Sequence, residues 1–476
     1  MLAPSSASTP ATKIVAELVV RARAAQSIAA RYTQAQLDEL VTATGWAIME
    51  PARNQSLAEI AVRDTGLGNV TDKINKNHRK TLGLMRDLKG AISTGVLCEI
   101  PQQGITEIAR PVGVVCAVVP STNPGATPAN NIINALKCGN AVILSPSPKG
   151  VSTSAKLLEY IHAEFQLIGA PPDLVQMLPS PVTKDTSSEL MKQCDLVVVT
   201  GSQANVRAGY SSGTPALGVG AGNVAVIVDD SADCADAAAK IMRSKIFDNA
   251  TSCSSENSVI IHATVYERML AELTAQGGAL LSVAEKDSLQ NTMFPDGHLS
   301  SKVTAQPVAK ICAVAGLTRA ELLNAKCLMV EETGTGEAYP FSGEKLCPVL
   351  TVYKARDFDH AFDTLRAIYD YMGDGHSCGI HTTSEAHIRR LGLEMTVCRV
   401  IVNQAHAIAN GGSFDNGLPF SLTMGCGTWG GNSFSDNLNY KHFMNVTRIV
   451  RPIPAREPSV DDIFGSYRAK YHILSK

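Results

Sequence analysis

From Val112 onward the chain alternates unbroken apolar runs with stretches of helical periodicity. A strand that is apolar on both faces must be covered on both, which calls for a parallel sheet sandwiched between helices. Residues 112–119 form the first such run and residues 126–138 the first helical stretch after it. The strand signal returns at 140–144, 174–178, 196–199 and 224–228, with a helical stretch at 152–165. A second block starts near Cys234, with a long helix at 235–247 and a strand at 258–262. Upstream, Ile14, Leu18 and Val19, then Leu37, Leu40 and Val41, then Leu57, Ile60 and Ala61 recur at helical spacing, so residues 12–88 are expected to be helical. Residues 96–108 read as a hairpin turning at Gln102-Gln103-Gly104, residues 403–431 as a Gly-, Ser- and Asn-rich loop region, and residues 446–452 as a last strand.

The chain has 476 residues. A single core stops growing at roughly 250–300 residues, so at least two domains are expected. Its 42 basic and 44 acidic residues nearly cancel, which leaves no electrostatic footprint for nucleic acid or an anionic membrane. No apolar run approaches the ~20 residues that cross a bilayer. The opening residues MLAPSSASTPATK are small and polar, read as a frayed terminus without a secretory signal, so a cytoplasmic protein is expected. Twelve cysteines contain no CxxC pair, so no zinc cluster or other metal site is expected.

Several candidates for chemistry lie at strand ends, each with a plain structural alternative. Cys253 lies among small polar residues between a helix and a strand, in Phe247-Asp-Asn-Ala-Thr-Ser-Cys253-Ser-Ser-Glu256. There a thiol is accessible and main-chain N–H groups can approach a nearby oxygen. A structural cysteine in a turn has the same surroundings. In Pro120-Ser-Thr-Asn-Pro124, Thr122 and Asn123 can donate to an oxyanion, or simply form a proline-bounded turn. Ser145-Pro146-Ser147-Pro-Lys149 follows a strand, where sheets of this kind bind ligands, and can hold a ribose or its phosphate. Gly201-Ser202 can open a phosphate-binding turn. Gly218-Val-Gly220-Ala-Gly222-Asn223 has the glycines of a dinucleotide loop but precedes a strand, so it is not read as a Rossmann fingerprint. His376, in a glycine-rich loop, is an acid–base candidate, although a lone loop histidine more often serves packing.

Together these segments resemble the aldehyde dehydrogenase superfamily, and within it the coenzyme A-acylating branch. The resemblance covers roughly residues 12–452. It rests on Pro120–Pro124, on Tyr210-Ser-Ser-Gly-Thr-Pro-Ala-Leu-Gly-Val-Gly-Ala-Gly-Asn223, on Phe247-Asp-Asn249 leading to Cys253, on Glu344-Lys-Leu-Cys-Pro348, on Gly375-His376, and on Ser421-Leu-Thr-Met-Gly-Cys-Gly-Thr-Trp-Gly-Gly-Asn432. It implies Cys253 as nucleophile and Glu344 as the glutamate that holds the nicotinamide-side ribose. It puts Ser145 where hydrolytic relatives carry a ribose-binding lysine, and Thr122 where they carry the oxyanion-hole asparagine. It matches His376 to a histidine of the acylating branch, with a role in handling the coenzyme A thiol. Pro146, Ser147, Lys149, Gly201, Ser202, Gly218, Gly220 and Pro348 are the accompanying cofactor-side candidates.

Hydrolytic relatives carry, at the position of Gly218, a glutamate that activates water. A glycine cannot act as a base, and general-base catalysis is typically worth roughly 10²–10⁴-fold, so another acyl acceptor is needed. The expected reaction is oxidation of a short aldehyde with NAD or NADP and coenzyme A, through a thiohemiacetal and a thioester on Cys253. Asn403-Gln-Ala-His406 and Gly411–Phe420 look like a subgroup that includes sulfoacetaldehyde dehydrogenases (acylating), with Gln404, His406 and Asn416 able to meet a sulfonate. Acetaldehyde, propanal and succinate semialdehyde fit the same chemistry. The rivals are a hydrolytic aldehyde dehydrogenase, a cofactor-free cysteine acyltransferase and an inert scaffold. The expected fold is α/β, aldehyde dehydrogenase-like. It divides into a nucleotide-binding domain at 1–230 with an oligomerisation hairpin at 96–110, a catalytic cysteine domain at 231–430, and a C-terminal segment at 431–476 with an oligomerisation strand. A homodimer or homotetramer is expected.

Overall fold

The computed structural model describes residues 9–473. Four helices come first: Pro10–Ala29, Gln34–Met49, Pro51–Thr65 and Val70–Leu88. The expectation of a frayed terminus does not hold from Pro10 onward. Residues 1–8 lie outside the described residues, and Pro10 already opens a helix whose N-cap, Thr9, accepts from the Thr12 N–H at 3.2 Å. The fourth helix is unusual, because its buried face carries Lys73, Lys76, Asn77 and Lys80 along with Leu84 and Leu88.

Three sheets follow. The first has five parallel strands in the order Val175–Met177, Ala141–Pro146, Val114–Val119, Leu196–Val199, Ala216–Gly218. Its earliest strand is central, so the winding direction reverses between Val114–Val119 and Leu196–Val199. A crevice opens at the carboxyl ends of those two strands, the place where such sheets receive ligands. The second sheet has seven parallel strands: Gly278–Leu280, Cys327–Glu331, Val349–Ala355, Glu256–His262, Val224–Val228, Cys378–His381, Val400–Val402. Here the expected division at residues 230 and 231 needs correcting. Val224–Val228 pairs with Glu256–His262 and Cys378–His381, so it lies inside the second sheet rather than closing the first. An apolar run marks a strand as buried but not which neighbours it will take.

The hairpin Gly95–Ile100 and Ile105–Pro111 is joined by Met444–Val450 into a third, antiparallel sheet. Gly104 turns the hairpin at φ 65°. A Cβ there would stand 2.3 Å from the Arg451 carbonyl oxygen, so only glycine fits. Among the described residues no helix is long and apolar enough to cross a membrane.

Candidate active site

Cys253 sits in the turn between Phe247–Ala250 and the strand Glu256–His262. Asp248, Asn249 and Ala250 reach it with φ of 51°, 50° and 58°. Left-handed backbone at residues other than glycine costs about 1–2 kcal/mol each, so this bend must be held from outside. The fourth helix holds it through the fully buried Asp248. That carboxylate accepts from the Asn69 N–H at 3.0 Å, Lys73 Nζ at 3.0 Å, Lys76 Nζ at 2.5 Å and Thr251 Oγ1 at 2.7 Å. Its own N–H donates to Asp72 at 2.7 Å. Burial pushes the Asp248 carboxyl up, but Lys76 and Lys73 outweigh it and hold the group below its usual range. Gly68 lets the helix approach, since a Cβ there would meet Asp248 Oδ1 at 1.9 Å.

On the other side the glycine loop passes under Cys253. A Cβ at Gly222 would lie 2.2 Å from the Cys253 carbonyl oxygen. Gly218 donates its N–H to Tyr210 Oη at 3.0 Å, and Gly220 donates to Asn432 Oδ1 at 3.0 Å. The loop therefore shapes the cysteine turn and opens no helix. A Cβ at Gly218 would stand 2.8 and 2.9 Å from side-chain atoms of Val206 and Tyr210, so a side chain there would need both to shift.

His376 comes to the thiol from the loop before Cys378–His381, with Nε2 3.3 Å from Cys253 Sγ. Its Nδ1 lies 2.8 Å from Ser377 Oγ, which lies 2.9 Å from His406 Nε2. Burial, reinforced by Arg399, lowers His376 to about 3. Burial, with Glu344 adding to it, raises the Cys253 thiol to about 12. At neutral pH the pair is a thiol beside a neutral imidazole, not a thiolate–imidazolium pair. Such an imidazole can accept the thiol proton while the sulfur attacks a carbonyl.

Of the two oxyanion candidates, Asn123 lines the cavity beside this turn together with Ser252 and Ser254, and Thr122 does not. Lys76 Nζ holds Asn123 Oδ1 at 2.7 Å, which leaves the Asn123 amide protons free to donate. Thr122 gives its carbonyl to Lys73 Nζ at 3.0 Å.

The cofactor-side candidates gather at the crevice of the first sheet. Ser145 and Pro146 end a strand, and Ser145 Oγ bonds Ser187 Oγ at 2.8 Å. Ser147 Oγ is buried without a hydrogen-bond partner, next to the exposed Lys149. An orphaned hydroxyl at a strand end fits a ribose, so these residues suit a nicotinamide dinucleotide. Gly201 and Ser202 follow Leu196–Val199, and Ser202 Oγ accepts from Asn205 N at 3.4 Å to cap the helix Gln203–Tyr210. Glu344 is half-buried, and burial raises its carboxyl to about 8. Pro348 stands apart. Its carbonyl accepts from Leu328 N at 2.9 Å in the second sheet, and it lines a different cavity, with Asp72 and Arg243.

The residues expected to meet a sulfonate are committed elsewhere. His406 is tied to Ser377, and Asn416 donates to Gln404 Oε1 at 3.0 Å. What the cavity beside the nucleophile presents instead is Lys76, Arg79 and Lys80. A signal existed in the sequence: Lys73, Lys76 and Lys80 repeat at helical spacing on one face. Apolar periodicity alone does not register a buried face built from lysines.

Comparison with known proteins agrees with this geometry. A family model described as "Aldehyde dehydrogenase family" matches residues 6–323. The chain is 59% identical to a sulfoacetaldehyde dehydrogenase (acylating) of Cupriavidus necator, over 98% of this chain and 95% of that one. It is 37% identical to a succinate-semialdehyde dehydrogenase (acetylating) of Clostridium kluyveri, over 95% and 99% of the two chains. Its fold superposes with a TM-score of 0.90 on a crystal structure of an acetylating aldehyde dehydrogenase from Geobacillus thermoglucosidasius, 33% identical, covering 94% of this chain and 98% of that one. A half-buried thiol with an imidazole at hydrogen-bond distance agrees with that kinship, and the chain belongs to the aldehyde dehydrogenase family, in its acylating branch.

Proposed function

We propose that the enzyme oxidises sulfoacetaldehyde to its acyl-CoA, with Cys253 carrying the acyl group between a nicotinamide cofactor and coenzyme A. The 3.3 Å contact between Cys253 Sγ and His376 Nε2, in a site with no side chain at Gly218, carries the reading. Cys253 adds to the aldehyde carbonyl as its proton moves to His376 Nε2. The Asn123 amide and the Cys253 main-chain N–H hold the developing oxyanion. Ser377 fixes the imidazole: His376 Nδ1–H donates to Ser377 Oγ, whose hydroxyl donates to His406 Nε2, and Nε2 of His376 is left as the acceptor. Ser145, Ser147, Ser202 and Glu344 would hold a nicotinamide dinucleotide, which would supply the hydride acceptor when bound. His376 first gives up the earlier proton to solvent; it then takes the proton of the coenzyme A thiol as that sulfur attacks the thioester, and returns it to the departing Cys253 sulfur.

Water competes poorly. Glu344, the carboxylate that acts on the Cys253 thiol, is held to about 8 by burial and is protonated at neutral pH. NADP fits as well as NAD, because Lys149 is exposed beside Ser147 and can meet an added phosphate. All twelve cysteines are free, in keeping with a reducing compartment such as the cytoplasm. Met444–Val450 is an edge strand with exposed side chains, and its pairing with another subunit would give the homo-oligomer.

The test is an aldehyde panel with each nicotinamide, with and without coenzyme A. Sulfoacetaldehyde is expected to give acyl-CoA at steady state and a single burst of reduced cofactor when coenzyme A is omitted. Full steady-state turnover without the thiol would establish the hydrolytic reading instead.

A further inference from the structure

Inside the cavity beside Cys253 the fourth helix places three cations: Lys76, Arg79 and Lys80. The rest of the lining includes Asn123, Phe247, Ser252, Ser254, Leu422 and Met424, with no carboxylate in it. Charge here is not balanced within the fold. Lys73 and Lys76 share the single carboxylate Asp248. Lys80 is buried and donates only to main-chain carbonyls, Gly411 O at 2.5 Å and Ser421 O at 3.2 Å. Arg79 likewise donates to Ile408 O at 2.7 Å and Gly412 O at 3.1 Å, with Asp415 acting on it only from beyond ion-pair distance. Among the described residues neither Arg79 nor Lys80 has an ion-pair partner, and burial together with the neighbouring cations lowers Lys80 well below its usual value. A buried cation without a counter-charge is costly to keep, and an anion arriving in the cavity relieves that cost.

We propose that Arg79 and Lys80 form a subsite for the sulfonate of the aldehyde substrate, with Lys76 held beside them by Asp248, Asn123 and Thr251, so that helix Val70–Leu88 sets the specificity of the enzyme. The inference rests on the sulfoacetaldehyde reading and deepens it. The Arg79 guanidinium keeps N–H donors beyond its two carbonyl contacts, and with Lys80 it suits a sulfonate, a group that stays ionised at every pH the enzyme meets. Ser252 and Ser254, the chain neighbours of Cys253, line this cavity, so an anion held against the helix lies next to the turn that carries the thiol.

The experiment uses the full-length enzyme, Arg79→Met and Lys80→Met, with sulfoacetaldehyde and propanal compared by kcat/KM. Loss of one partner of a buried charge pair is expected to lower the sulfoacetaldehyde-to-propanal ratio about thirtyfold or more in each variant. A ratio within twofold of wild type overturns the proposal. A second arm needs no variant. Ethanesulfonate is expected to compete with propanal in the wild-type enzyme and to slow alkylation of Cys253, and propanoate to do so at least tenfold more weakly. No competition by ethanesulfonate, or equal competition by propanoate, overturns the sulfonate subsite. If the wild-type enzyme fails to oxidise sulfoacetaldehyde, the functional reading falls. The subsite then stands on ethanesulfonate competition that Arg79→Met weakens, and falls without it.

Discussion

Replacing His376 by asparagine tests the chemistry at its most exposed point, the way Cys253 loses its proton. The thiol is raised to about 12, chiefly by burial, so at pH 7 the free thiolate is a minor species. His376, lowered to about 3, is neutral at that pH and equally unwilling to form a resting imidazolium. The proton must therefore leave as the carbon–sulfur bond forms, across the 3.3 Å contact, and loss of the base should cost roughly 10²–10⁴-fold. The assay is the burst of reduced cofactor in a single turnover without coenzyme A. In His376→Asn the burst rate should fall by that factor while its amplitude stays near one per site. In the wild-type enzyme, alkylation of Cys253 by iodoacetamide should rise about tenfold per pH unit to at least pH 9, because the thiol is still protonated there. A plateau in alkylation below pH 7 would reveal a preformed thiolate and refute the reasoning. So would a His376→Asn burst within threefold of wild type.

Other outcomes follow from the same geometry. Ser377→Ala frees the His376 ring and should slow the burst about tenfold, measured by stopped-flow, while KM for the nicotinamide stays within twofold. Gly222→Ala drives a Cβ against the Cys253 carbonyl and should cost about 100-fold in kcat, since a displacement near 1 Å at a nucleophile is worth that much. Lys149→Ala should raise KM for NADP about tenfold and leave KM for NAD unchanged; an unchanged NADP constant removes Lys149 from phosphate recognition. Acid should destabilise the fold through its buried histidines. His376 and His381 are lowered by burial to about 3 and about 4, so below their unfolded value near 6.5 the unfolded chain binds more protons than the native one. Each contributes a loss of up to ~1.4 kcal/mol per pH unit as pH falls from about 6.5 toward its folded value, and nothing above that window. Urea midpoints at pH 7 and pH 5 check this, and His376→Asn should show the shallower dependence.

Much of the architecture was legible because each strand of a parallel sheet is buried on both faces and so writes itself as a continuous apolar run. Residues 112–119 and 196–199 announced themselves in this way, and the helices between them followed from their period. The neighbour each strand takes was not legible. Val224–Val228 carries the same signature as the strands before it yet joins the later sheet. Pairing depends on how the whole chain packs, and an apolar run has no partner encoded in it. The candidate residues divide in the same way. Cys253, Asn123 and His376 could be singled out one by one from their turns and their resemblance, but 123 residues separate Cys253 from His376, and their contact exists only once the second sheet has formed.

The sequence by itself determined an α/β chain of the aldehyde dehydrogenase kind and offered Cys253 as its candidate nucleophile, with no side chain at Gly218. Those are properties of residue type and local order. Only the tertiary structure decided that the thiol and imidazole meet uncharged, that the residues first offered to a sulfonate are bonded to one another, and that a helix from the N-terminal part of the chain lays three cations beside the nucleophile. The physical reason is that charge state and recognition depend on burial and on neighbours distant along the chain, and both come into being when the parts of the fold close over one another.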